Sequence, residues 1–242
     1  MRISTLCIVS LLSWLIAISI GLCASWLGLA PLPVRGISTA PTTQREPLSL
    51  SPLYPRLVAP ARLSSEMSAY LTSMNTSVQR LCAAQNFNNQ LACLALTPNR
   101  QVADKVKSLA EASAAVPCTA AGNRNQDWRL ALALDQLRYI APELDYQTLE
   151  AKLKASLEQC LSVLDDGNAS LWHGRFSLGA EAFIVAASLY SEGELLERAF
   201  YHFKQSVMAL SLTEGWPGGY NYWIQNRGLT FFLAVQAYLN SG

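Results

Sequence analysis

The chain has 242 residues, 51% of them hydrophobic and 14% charged, and 18 basic against 17 acidic side chains give a formal net charge of +1. A balance this close to neutral, with no polybasic tail or stripe, excludes the electrostatic footprint of a nucleic-acid binder. It also provides no general positive field for an acidic ligand, so any such attraction has to be local.

At the amino terminus Arg2 precedes an uncharged apolar run from Leu6 to Leu22, and Cys23-Ala24-Ser25 supplies small residues where a signal peptidase cuts. This order predicts a signal peptide over 1–25 and a periplasmic or secreted mature chain. The next charge is Arg35, so the alternative is an apolar stretch that continues through Trp26, Leu27 and Leu29 and stays as a membrane anchor. Cleavage removes Arg2 and no acid, leaving 17 residues of each sign. Residues 26–60, rich in Pro, Ser and Thr from Ser38 onward, read as a linker or an extended arm. Folding is expected to begin near Ala61, and 61–242 is long enough for one domain with a sizeable core.

From there the pattern is helix after helix. Segments 62–84 and 101–115 fit helices, and Asp127–Ala141 is a third, stopped by Pro142, with Leu130, Leu134 and Leu137 on one face. Leu149, Leu153, Leu157, Leu161 and Leu164 recur at three- and four-residue steps, a stripe on a helix that Asp145 or Thr148 caps and Gly167 ends. Segments 176–191, 194–210 and 227–239 complete the set, and no run alternates with period two for long enough to form a strand. Segments 176–191 and 227–239 lack a polar face and are expected to be buried on all sides, whereas 194–209 is amphipathic. The fold class is therefore all-α, built of antiparallel helix pairs. The alternation of inner and outer helices predicts a partial (α/α) toroid.

Beyond Cys7 and Cys23, the chain has Cys82, Cys93, Cys118 and Cys160. In an exported protein these suggest two disulfides, most simply Cys82 with Cys93 and Cys118 with Cys160, although three pairings are open. Nothing in their spacing suits a metal, and no cofactor is expected.

Two motifs about fifty residues apart concentrate the chemistry. Leu171-Trp172-His173-Gly174-Arg175 holds one of only two histidines, and Glu214-Gly215-Trp216-Pro217-Gly218-Gly219-Tyr220-Asn221-Tyr222-Trp223 crowds aromatics onto a glycine-rich turn. Residues 126–239, carrying Trp172-His173, the small residues Gly179, Ala180 and Ala182, and then Gly215, Trp216, Pro217, Gly219, Tyr222 and Trp223, resemble the helical domain of heparinase II/III-like polysaccharide lyases. Such lyases run on into further helices and a β-sandwich, so the resemblance implies a truncated frame or a shortened protein ending at Gly242.

The resemblance implies β-elimination on a uronic-acid-containing polysaccharide, with an acidic polysaccharide as partner. The proton on C5 of a uronate becomes acidic enough to remove only when the adjacent carboxylate is neutralised and the enolate-like intermediate stabilised. His173, assisted by Arg175, takes that role, and Tyr222 is the base or acid, with Tyr220 as substitute. Trp172, Trp216, Tyr220 and Trp223 form the substrate-binding wall. The alternative function is a non-catalytic helical module that binds polysaccharide through the same wall.

Plainer roles compete at each position. A histidine after Trp at a helix start is often a packing residue, and aromatic clusters more often anchor turns than perform chemistry. His202, between Tyr201 and Phe203, reads as structural. Glu143 with Asp145, and Asp165 with Asp166, read as caps rather than as the acid/base pair of a glycoside hydrolase.

Overall fold

A computed structural model describes residues 47–58, 69–70, 72–116, 118, 127–166, 173–212 and 228–240, all within the unit Thr39–Gly242. The amino-terminal segment 1–25 and residues 26–46 lie outside the described residues. Eight α-helices account for most of what is described: α1 Asn75–Ala83, α2 Phe87–Leu96, α3 Arg100–Ala112, α4 Trp128–Ile140, α5 Gln147–Asp165, α6 His173–Leu189, α7 Glu194–Leu212 and α8 Gly228–Leu239. The fold is all-α, and there is no strand among the described residues. None of the described helices is long and apolar enough to cross a membrane.

Local chemistry sets several boundaries. Asn86 and Asn99 cap α2 and α3 by accepting from the N–H groups of Asn89 and Val102, each at 3.0 Å. Helix α5 starts at Gln147, so Thr148 lies within it rather than capping it, and Asp145 accepts the Gln147 N–H at 2.9 Å. Lys152 donates to the carbonyls of Glu111 and Ser113 at 2.7 and 2.6 Å, closing the carboxyl end of α3 where free carbonyls attract a cation. Helix α2 is an addition to the expected set. Gln90 on it reaches back to the Cys82 and Ala84 carbonyls, closing the α1–α2 hairpin around the Cys82–Cys93 disulfide.

From α2 to α6, each helix packs on its successor and on the helix after that. The even-numbered helices α2, α4, α6 and α8 thus follow one another in one row, and α3, α5 and α7 in a second. Helix α6 is the hub, touched by α4, α5, α7 and α8, and every side chain from Ser177 to Ser188 is buried. That agrees with its lack of a polar face. Helix α8 departs from the same expectation: Phe231, Leu233 and Ala234 are buried, but Leu229, Phe232, Val235 and Leu239 are exposed. Its all-round apolar character reflects burial on one side only.

Small residues let α6 and α7 approach closely. A Cβ added to Gly179 would stand 2.9 Å from the His202 carbonyl oxygen and 2.9 Å from Ser206 Oγ. Because the first of these is backbone, the neighbour can yield only if the helices separate. Gly179→Ala is expected to lower stability, since overpacking costs about 1 to 3 kcal/mol against roughly 1 kcal/mol of gained helix propensity. Urea unfolding followed by circular dichroism measures the difference, and a stabilised variant would show that α6 and α7 have room to spare.

Packed structure reaches back well before Ala61. Residues 47–58 form an extended arm whose Leu50, Arg56 and Leu57 are buried. Asp135 of α4, fully buried, accepts the backbone N–H groups of Arg56 at 2.7 Å and Leu57 at 3.0 Å, one on each carboxylate oxygen. The Arg56 guanidinium donates to the Ala187 carbonyl at 3.1 Å, and Asn240 donates to the Arg56 carbonyl at 2.8 Å. Two guanidiniums approach the Tyr54 ring, that of Arg56 4.3 Å and that of Arg138 4.9 Å from its centroid. Arg138 also donates to the Ser188 carbonyl and pairs with Glu150. The arm therefore ties the carboxyl-terminal parts of α4, α6 and α8 together.

Candidate functional site

The ring contacts fix how the helices run. Phe183 of α6 stacks on Phe203 of α7 with centroids 5.3 Å apart, and Phe203 meets Phe231 of α8 at 5.6 Å. Farther along, Phe200 stacks on Tyr238 at 5.4 Å. Moving from Phe231 to Tyr238 along α8 means stepping back from Phe203 to Phe200 along α7, so α7 and α8 are antiparallel. Helix α6 opposes α7 in the same way, since Gly179 faces His202 and Ser206 while Phe183 faces Phe200. Helices α6 and α8 are consequently parallel, and their amino termini lie at one end, opposite the arm.

That end is where the two motifs lead. His173 is the first residue of α6 and Arg175 the third, and the second motif finishes five residues before Gly228 opens α8. Trp172, Trp216, Tyr220, Tyr222 and Trp223 lie outside the described residues. The described residues thus give a shared helix-start end, with His173 and Arg175 placed on the backbone of α6.

Below His173, Ser177 and Glu181 follow at successive four-residue steps on the same helix face, and both side chains are buried. Thr230 of α8 is buried as well. Glu181 escaped the sequence reading, although its signal was present: one carboxylate stands among Ala180, Ala182, Phe183, Ile184 and Val185. A charge in such a run is expensive to bury without partners, and its side chain does interact with its surroundings.

The histidine with a described side chain, His202, belongs to a different cluster. Its Nε2 lies 2.7 Å from Asp165 Oδ1, and Arg198 holds the other oxygen of the same carboxylate. Burial works to raise the Asp165 pKa, but the hydrogen bonds from Arg198 and His202 outweigh it and hold the carboxyl below its usual value. Asp165 closes α5, where the helix dipole disfavours an anion, so the two donors also offset that position. The neighbouring Ser206 hydroxyl donates to the His202 carbonyl at 3.0 Å and to that extent is engaged locally. The cluster joins α5 to α7. Of the other carboxylate pairs, Glu143 meets Arg100 and Asp145 serves the first turn of α5.

The disulfides form as Cys82–Cys93 and Cys118–Cys160. The second ties the segment before α4 to α5, near Asp127, which accepts the Val116 N–H at 3.2 Å and the Ser156 hydroxyl. Among the described residues, no three His, Cys, Asp or Glu side chains converge as a metal site would require. The chain matches no protein-family profile, no curated protein and no solved structure.

Proposed function

We propose that the chain is an exported polysaccharide lyase, or the helical portion of one, that cleaves a uronic-acid-containing polysaccharide by β-elimination. The observation that carries the reading is the parallel pairing of α6 and α8, which sets the start of α6, inside the first motif, and the start of α8, five residues after the second, at one end of the helices. The two sequential rows of helices suit a partial (α/α) toroid, whose cleft lies at the ends of its inner helices. On this reading His173 and Arg175 neutralise the uronate carboxylate and stabilise the enolate-like intermediate. Tyr222, or Tyr220 in its place, serves as the base that removes the C5 proton or as the acid that protonates the leaving sugar oxygen. Trp172, Trp216 and Trp223 offer faces on which sugar rings stack.

The test is formation of unsaturated uronate product, followed by its ultraviolet absorbance with the full chain and a panel of acidic polysaccharides. Tyr222→Phe is expected to abolish product while leaving the thermal transition in place, because one hydroxyl is lost. His173→Ala removes a charge-stabilising donor, and by analogy with lost oxyanion donors it costs about 3 kcal/mol in the transition state, a hundredfold or more in rate. Trp216→Ala mainly weakens binding. An undiminished rate in Tyr222→Phe overturns the assigned role. Retention of an acidic polysaccharide without cleavage, dependent on Trp216, replaces the enzyme with the binding module.

A further inference from the structure

The helices that lead into the two motifs are joined by one carboxylate. Asp165 is the last residue of α5, and Trp172 and His173 follow it seven and eight positions later. Helix α7 ends at Leu212, two positions before Glu214 opens the second motif. Between these helices His202 Nε2 stands 2.7 Å from Asp165 Oδ1, while Arg198, one turn earlier on α7, donates to Oδ2.

Three features set this cluster apart from an ordinary surface ion pair. Asp165 sits at the helix end where the dipole disfavours an anion, so α5 itself gains nothing from the acid. Both oxygens of the carboxylate are taken by donors four residues apart on one helix, and such a two-point hold fixes an angle as well as a distance. The α7 side of the hold is in turn seated on α6. His202 is 5% exposed, and its carbonyl oxygen would lie 2.9 Å from a Cβ added to Gly179. Gly179 is six residues, about 9 Å, along α6 from His173. The end of α5, the middle of α7 and the second turn of α6 are therefore held together just below the helix-start end.

We propose that Asp165, Arg198 and His202 form a positioning clamp for the candidate site, fixing the end of α5 that precedes the first motif against the helix that leads into the second. On the reading that the two motifs work as one site, their groups have to be held within about half an ångström of a productive geometry. Residues on a connecting segment reach that precision only when the helices at its base cannot shift. The three clamp residues position the motifs and do not meet the substrate.

The experiment is fluorine NMR on the full chain with 5-fluorotryptophan in place of tryptophan, each resonance assigned by a single Trp→Phe substitution. Trp172, Trp216 and Trp223 report on the motifs, and Trp128 on α4 is the reference. Asp165→Ala and Arg198→Ala are each expected to shift or broaden the three motif resonances and to leave Trp128 in place. The double variant should add nothing to either single one, because both remove the same contact. Asp165→Asn keeps one acceptor of the same shape and should fall between. The thermal transition should move by only a few degrees, since the pair is partly exposed. Formation of unsaturated product is expected to fall about a hundredfold in Asp165→Ala with the wild-type tryptophan environment lost. A wild type that makes no such product but shows the expected resonance changes in the variants would sink the lyase reading and leave the clamp standing. Motif resonances that stay in place in Asp165→Ala overturn the clamp, whatever happens to activity. So does unfolding of all three single variants, or a Trp128 shift as large as the others, either of which would make the cluster a general support of the fold.

Discussion

Asp135→Ala is expected to release residues 47–58 from the helices and to lower the unfolding free energy by about 2 to 6 kcal/mol, since two buried N–H donors lose their acceptor at roughly 1 to 3 kcal/mol each. Those donors belong to Arg56 and Leu57, and both bonds go to a single, fully buried carboxylate, that of Asp135. Limited proteolysis reads the release of the arm, and urea unfolding reads the stability. Asp135→Asn is a milder change, because its amide oxygen still accepts one N–H while its NH₂ group opposes the other.

The same residue gives stability an unusual pH dependence. Burial pushes the Asp135 carboxyl up to about 6 from an ordinary 3.8, against the lowering effect of the Arg56 and Leu57 N–H groups and the Arg56 charge. Between those two pH values the folded chain keeps a proton that the unfolded chain has released. The contribution of Asp135 is therefore complete below about pH 4 and is lost as pH rises through 6. Since each pH unit between folded and unfolded values corresponds to about 1.4 kcal/mol, the swing from pH 4 to pH 7 is on the order of 3 kcal/mol. Asp165 acts in the opposite sense, its stabilisation fading as pH falls through its lowered value. Comparing the wild type with Asp135→Asn at both pH values isolates the first effect, and an unchanged difference would place the Asp135 proton elsewhere.

Loss of the Cys118–Cys160 bridge is expected to be comparably severe. It closes a span of 42 residues, and the chain-entropy relation gives about 4 kcal/mol for a loop of that size. Cys82–Cys93 closes only 11 residues, for which the same relation gives about 3 kcal/mol. Cys118 and Cys160 are both buried, whereas Cys82 keeps part of its surface in contact with solvent. Graded reduction under native conditions should thus open Cys82–Cys93 first and reach Cys118–Cys160 only as the chain unfolds. Mass analysis after alkylation follows each step, and simultaneous opening of both bridges would contradict the difference in access.

For the site, only half of what matters was open to reading from residues. Trp172-His173 and the Gly215–Trp223 turn stand out because aromatic, glycine and histidine residues cluster without helical periodicity. The common end of α6 and α8 came from a chain of ring contacts that runs from Phe183 through Phe203 to Phe231, a relation that spacing along the chain does not carry. Glu181 was in plain view within an apolar run, yet periodicity treats a lone acid as an interruption rather than as a buried group.

The helices themselves were determined locally. Leucines at three- and four-residue steps from Leu149 to Leu164, and Pro142 beyond α4, specify helix and stop through backbone geometry and side-chain period alone, so those elements are where the pattern puts them. The short α2 lacked a long period and depended on the Asn86 cap and on Gln90 reaching the end of α1. Tertiary structure alone decided the fate of residues 47–58, whose Pro and Ser content suits a linker but whose N–H groups find Asp135 some eighty positions later. It also separated α6 from α8, two helices of similar apolar character. The period of a helix tells which faces are apolar, while the neighbours that cover those faces are a property of the assembled rows: among the described residues α6 is packed by four helices, whereas Leu229, Phe232 and Leu239 of α8 are exposed.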